Sequence, residues 1–415
     1  MLEGDGTGLE NMSLERRRDG QRWILDWLVK TTGRDRQFFY NERTLPTSVK
    51  SYAMIPREME KVARHKETLA RAAEEHGHWL TARELYQKAA VDYHTAHHAI
   101  AHDDDPEKIY LAGKVRECFD KVIQYSPTPI ERVEIPFEGE SLPGVFYKAG
   151  LKGPGPTILF CNGMDKVKEI FPDPLNNPFT ARGMNVLAWD GPGQGECNLR
   201  KIRITRDSWQ RAGQVALDYL CSRPEVDTER IGAVGFSMGS YWVMSLAARD
   251  PRLKAVASGA ACYGPKKYIF ETNSPHFKKV FMYMAGMHDE EAFDRMVNSM
   301  ALTSQEVSSI KAACLLVVGE YDSMTPLEDA LPIFEGLRGP KEFWVMENDD
   351  HTPFLYPHLG GFPAFHAMAD WLLDALEGRK PANLNRKVVL HPNRGKGPYG
   401  PEAAGFFLPE RLRVD

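Results

Sequence analysis

The chain has 415 residues, 42% hydrophobic and 26% charged, which argues against disorder or a fibre and leaves room for one large core plus an accessory domain. A formal net charge of -5, with Lys and Arg spread along the chain, gives no electrostatic footprint for nucleic acid. Six cysteines stand singly without a CxxC pair, the start MLEGDGTGLENMSLERRRDG has no apolar core, and no run of about eighteen apolar residues occurs. The expectation is a reduced, cytoplasmic protein with no disulfide framework, no metal and no membrane partner.

Taken in chain order, residues 55 to 125 are rich in Ala, Glu, Lys, His and Leu. Their apolar positions, such as Ala70, Trp79, Leu85, Ala89, Tyr93 and Ala96, follow helical spacing, broken by the turn signal HDDDP. This predicts an N-terminal helical domain over residues 1–128, ending at SPTP, where two prolines interrupt the periodicity. Within it, YHTAHHAI puts His94 and His98 on one helical face. A metal would need a third ligand, and none stands out, so packing is the better reading.

From residue 129 to 376 short β-rich runs alternate with helical stretches: VEIPF, GVFYKA, PTILFC, MNVLAW, RIGAVG, KAVASG, ACLLVVG and EFWVME. Near-continuous apolar strands separated by helices predict an α/β domain with a mostly parallel sheet and helices on both faces. A helical insert is expected near 264–308. Residues 377–415 read as a Pro- and Gly-rich tail lying over a surface or a partner subunit.

One stretch carries chemistry. In AVGFSMGSYW, Ser237 follows the strand RIGAVG and precedes a helical run, with Gly235 and Gly239 on either side. That is the setting of a G-x-S-x-G nucleophile elbow, a strained strand-to-helix turn that lifts a hydroxyl above the sheet. The bland alternative is an N-cap serine. A serine nucleophile needs a base, and the base an orienting acid, in the order Ser, acid, His. Directly after ACLLVVG comes EYDSMTP, and after EFWVME comes NDDHTPF, which offers Asp322 and His351. Glu320 competes with Asp322, and His358 with His351; Asp349 and Asp350 are expected to face solvent. The Met238 N–H, at the helix start, and the Met164 N–H, in the NGMDKVKE loop, are candidate oxyanion donors. The stretch DGPGQGE resembles a dinucleotide fingerprint only superficially, because its third glycine comes too early and Pro192 removes a donor.

The combination NGMDKVKE, WDGPGQGE, GFSMGS, GEYDSMTP and DDHTPF resembles the α/β-hydrolase superfamily over roughly residues 130 to 375. With a helical N-terminal domain it is similar to a narrower group, which contains the fungal yellowish-green pigment hydrolases, which shorten polyketide chains, and the bacterial 2,6-dihydroxypseudooxynicotine hydrolase. The resemblance implies an α/β-hydrolase fold with an N-terminal helical cap, Ser237 as nucleophile, Asp322 as acid and His351 as base. It also implies cleavage of a carbon–carbon bond beside a ketone, with an ester as the alternative substrate. A non-catalytic binding protein on the same fold is the alternative from another class.

The insert carries FKKVFMYMAGMHDEEAF, in which Phe281, Met282, Tyr283, Met284 and Met287 could roof the serine or simply pack the insert. Glu271 and Asp165 are further candidate contacts to the substrate, as are Met282 and Tyr283. No cofactor is expected. The partner is a small-molecule substrate, and cap and tail together suggest a homodimer.

Overall fold

The computed structural model describes residues 22–33, 45–273, 275–351 and 359–401. They form two compact units. One comprises the described residues up to Ser126 together with Asn198–Thr205 and Lys266–Ser299; the other comprises Pro127–Cys197, Arg206–Pro265 and the described residues from Met300 on.

In the first unit, α1 (Arg22–Thr32) precedes three long helices, α2 (Ile55–Glu75), α3 (Trp79–His98) and α4 (Pro106–Gln124). Ile55, Met59, Ala63 and Ala70 on α2 and Ala82, Tyr86, Ala89, Tyr93 and Ala96 on α3 are buried at the spacing of one helical face. Trp79 is not: at the first residue of α3 it is 50% exposed and stacks on Tyr125 instead, at 5.3 Å between ring centroids. The HDDDP turn becomes a cap, with the Asp105 carboxylate accepting the Lys108 N–H at 3.0 Å and Pro106 in the first turn. A hydrogen bond and two ion pairs tie the helices across: Glu67 accepts from Tyr93 Oη and Lys114 Nζ, both at 2.7 Å, and Glu74 from Lys121 Nζ at 2.6 Å. The unit also holds three short helices, α8 (Lys267–Thr272), α9 (Pro275–Ala285) and α10 (Glu290–Asn298).

The second unit is built on a nine-stranded sheet in the order β1-β2-β4-β3-β5-β6-β7-β8-β9. Its strands are β1 (Ile130–Phe137), β2 (Glu140–Tyr147), β3 (Gly155–Cys161), β4 (Asn185–Trp189), β5 (Val226–Phe236), β6 (Leu253–Gly259), β7 (Ala313–Gly319), β8 (Lys341–Met346) and β9 (Asn385–Leu390). β2 is antiparallel to both neighbours, and every pairing from β4 to β9 is parallel. β3, β4, β7 and β8 are buried at every residue, as strands covered on both faces must be. The helices are α5 (Gly195–Leu199), which runs from this unit into the other, then α6 (Ser208–Cys221), α7 (Met238–Ala247), α11 (Ser304–Ser309), α12 (Leu327–Gly336) and α13 (Ala364–Leu376). Trp209 of α6 lies flat on Trp242 of α7, with ring centroids 3.6 Å apart and planes 2° apart.

The first eight strands fall on the eight runs read from the sequence. The ninth corrects the reading of the tail as a surface covering: NRKVVL pairs parallel with β8 from Asn385 to Leu390. A buried carboxylate links it to the strand beside it and to α13. Glu342 of β8 accepts hydrogen bonds from Trp344 Nε1 (2.9 Å), Trp371 Nε1 of α13 (2.9 Å) and Arg386 Nη1 of β9 (2.7 Å).

Candidate active site

Ser237 lies between the end of β5 and the start of α7 with φ 53° and ψ -122°, a backbone region that non-glycine residues rarely adopt. Close packing holds it there. A Cβ at Gly235 would come within 2.2 Å of Gly239 O, and one at Gly239 within 2.3 Å of Cys161 O, so neither flank admits a side chain. The Ser237 N–H donates to Gly259 O at 2.9 Å, and Ser240 Oγ donates to Ser237 O at 2.6 Å while accepting the Cys262 N–H at 3.0 Å. These bonds anchor the turn to the end of β6 and the loop that follows it. Met238 is the first residue of α7, so its N–H is one of the donors that a helix leaves without an internal acceptor.

Asp322 follows β7 and His351 follows β8. Parallel pairing of the two strands brings their C-terminal loops together, with the Tyr321 N–H donating to Asp349 O at 2.7 Å. His351 Nδ1 is 2.8 Å from Asp322 Oδ2, and His351 Nε2 is 2.9 Å from Ser237 Oγ. A carboxylate only accepts, so Nδ1 carries the proton and Nε2 is left to accept from the Ser237 hydroxyl. Asp322 also accepts the Met324 and Thr325 N–H groups at 2.9 and 3.0 Å and the Thr325 hydroxyl. Burial would push its carboxyl up, but the His351 ring and the Thr325 donors outweigh it and hold the group below the usual carboxylate range. The chain Ser237–His351–Asp322 is buried at its base, where the His351 and Asp322 side chains are 3% and 0% exposed.

The competing acid is occupied elsewhere: Glu320 Oε2 accepts the Asn348 N–H at 2.9 Å. His358 lies outside the described residues. Asp349 departs from the sequence reading. It is buried, not solvent-facing, because the turn carrying it is folded under the loop after β7; burial, with Asp350 beside it, pushes its carboxyl up to about 7.

Met164 and Asp165 form a turn after β3, Met164 buried and Asp165 partly exposed. Lys168 of the same loop is the feature that sequence reading missed. It is 1% exposed, and its Nζ meets Asp190, Glu196 and Glu169, each at 2.9 Å, while Arg132 meets Glu169 at 2.8 Å. Burial alone would lower the Lys168 ammonium, but the three carboxylates raise it above its ordinary value. The alternating charges of KVKE and the acids of DGPGQGE are the only trace of this pairing in the sequence.

Glu271, Met282 and Tyr283 belong to the helical unit. There Phe281 is fully buried against Phe270 and Phe293, at centroid distances of 5.1 and 6.0 Å, and Met284 is buried too, while Met282 and Tyr283 are partly exposed. The Tyr283 ring lies under Lys108 Nζ at 4.9 Å. His94 and His98 rings sit 5.7 Å apart, and among the described residues no group of three His, Cys, Asp or Glu is arranged to hold a metal ion.

Comparison with known proteins adds four findings. The profile of the family described as esterase FrsA-like matches residues 60–329. The chain is 29% identical over 308 residues to the 2,6-dihydropseudooxynicotine hydrolase of Paenarthrobacter nicotinovorans, covering 74% of this chain and 80% of that one. It is 28% identical over 266 residues to esterase FrsA of Enterobacter sp. (strain 638), and spans only 61% of that protein's length. The crystal structure of 2,6-dihydroxy-pseudo-oxynicotine hydrolase superposes with a TM-score of 0.70 at 24% identity, over 88% of this chain and 98% of that one, which shows a shared α/β-hydrolase fold.

Proposed function

This chain belongs to the FrsA-like esterase family and is a hydrolase, and from that premise we propose that it works through a Ser237–His351–Asp322 triad on an organic ketone. His351 takes the Ser237 proton as the oxygen attacks the substrate carbonyl, and Asp322 holds the ring and stabilises the imidazolium. The Met238 and Met164 N–H groups receive the oxyanion. When the tetrahedral adduct collapses, the bond from the carbonyl carbon to the neighbouring carbon breaks. Its electron pair leaves as an enolate, which His351 protonates. Water, activated by the now neutral His351, then releases the acid from Ser237. Serine, histidine, aspartate and water complete these steps without a cofactor.

The observation that carries the reading is the unbroken hydrogen-bond chain from Ser237 Oγ through His351 to Asp322. The choice of a carbon–carbon bond in a polyketide-like or aromatic small molecule rests on the similarity to the pseudooxynicotine hydrolase. The family's esterase description favours the second reading, a carboxylesterase acting on an ester of similar size. A fluorophosphonate label followed by intact mass tests the nucleophile: wild type gains one adduct, and Ser237→Ala gains none. Turnover of an aryl β-diketone beside p-nitrophenyl esters then separates the readings, faster diketone cleavage supporting carbon–carbon hydrolysis. Well-folded wild type that neither labels nor turns over either substrate would leave a binding protein on this fold.

A further inference from the structure

One peptide unit joins Gly163 to Met164. On one side it carries the N–H assigned above to the oxyanion, and on the other the Gly163 carbonyl. That carbonyl accepts a hydrogen bond from Gln194 Nε2, which also lies 3.4 Å from Asn162 O, and a longer one from the Lys166 N–H at 3.5 Å. The reverse amide orientation would set two oxygens against each other, so the nitrogen is the contacting atom. The cis bond among the described residues is Phe171–Pro172, so the Gly163–Met164 peptide is trans and its C=O and N–H point in opposite directions. A donor fixed on the carbonyl aims the N–H to the far side. It also draws electron density toward oxygen, which makes that N–H a stronger donor.

This peptide lies beside the nucleophile. A Cβ on Gly163 would come within 3.3 Å of Ser237 Cβ and 3.1 Å of Phe236 O. Gln194 is 2% exposed, and its backbone N–H donates to Gly191 O at 2.9 Å. The two loops are joined a second time through Asp190, whose carboxylate accepts the Lys168 N–H at 3.0 Å, Lys168 Nζ at 2.9 Å and the Glu196 N–H at 3.1 Å.

We infer that Gln194 is a positioning residue for the oxyanion site, orienting and polarising the Gly163–Met164 peptide from behind. The inference rests on the serine-hydrolase reading of Ser237 and Met164. The test uses the full chain, a fluorophosphonate probe and p-nitrophenyl acetate. Gln194→Met keeps the bulk and removes the donor: labelling rate and kcat are expected to fall about ten- to a hundredfold, with KM within about twofold of wild type. Gln194→Glu adds a readout that packing would not move. Its carboxylate cannot donate to Gly163 O, whereas its protonated form can, so kcat relative to wild type at the same pH rises as pH falls from 8 to 5. Wild-type rates in Gln194→Met, or a ratio for Gln194→Glu that stays flat with pH, overturn the inference; if Gln194→Met does not fold, the Gln194→Glu series decides. Wild type that neither labels nor turns over overturns the underlying reading, whereas labelled wild type with unimpaired variants overturns this inference alone.

Discussion

Asp322 and Asp349 belong to adjacent loops, both are buried, and their surroundings drive them apart. Three donors and a histidine ring hold Asp322 ionised, while burial next to Asp350 lifts Asp349 to about 7. A carboxyl raised from its ordinary value of about 4 binds more protons in the folded state than in the unfolded one across that window. Stability from Asp349 is therefore fully present below about pH 4 and is lost as pH rises to about 7. An asparagine side chain does not titrate, so Asp349→Asn is expected to gain on wild type between pH 5 and pH 8, by roughly 1–3 kcal/mol at the upper end. Urea unfolding at the two pH values measures the gap, and a gap that does not change with pH would show that Asp349 is ionised throughout. The residue also shows why burial was hard to read. NDDH has the polarity of an exposed turn, and what buries Asp349 is a backbone bond from Tyr321, in a loop 28 residues earlier in the chain.

Strand β9 illustrates the same limit for an element. NRKVVL is short, lies between prolines and begins with polar and charged residues, so its pattern alone favours no strand. Its place depends on Glu342 and Arg386, which are distant in sequence. Arg386 Nη1 neutralises the buried Glu342 and donates also to Pro398 O at 2.9 Å, while Nη2 donates to Gly400 O, so one side chain fastens both β9 and the loop after it. Removing the guanidinium leaves a buried carboxylate facing two indole N–H groups, and Arg386→Met is expected to destabilise by about 3 kcal/mol. Lys at the same position cannot reproduce the fork and should recover only part of that. In Arg386→Met combined with Glu342→Gln, denaturant melts should show much of the loss restored, because no buried charge is left unpaired; additive losses would mean that the pair does not interact.

At the scale of the whole molecule, the alternation of strands and helices was legible because each buried strand declares itself within seven or so residues. Ser237, Asp322 and His351 were legible as candidates because each directly follows such a strand. The segment Asn198–Thr205 was not. Eight residues are too few to show a period, and it groups with the helical unit through particular bonds: Arg203 reaches Asp103, Lys201 meets Asp104 at 2.9 Å, and the Ile204 N–H donates to Met284 O at 3.1 Å. Gln194 was equally hidden, since its significance lies in the carbonyl of another loop. The strained turn at Ser237 bears on how such a protein could evolve. Holding a residue with a Cβ at φ 53° costs on the order of 1–3 kcal/mol, which glycine would not incur. Ser237→Gly should therefore melt higher than Ser237→Ala, as calorimetry on the two variants would measure. A lineage selected for heat resistance alone would drift toward glycine at this position, so a serine retained under such selection would be a record of turnover written in the backbone.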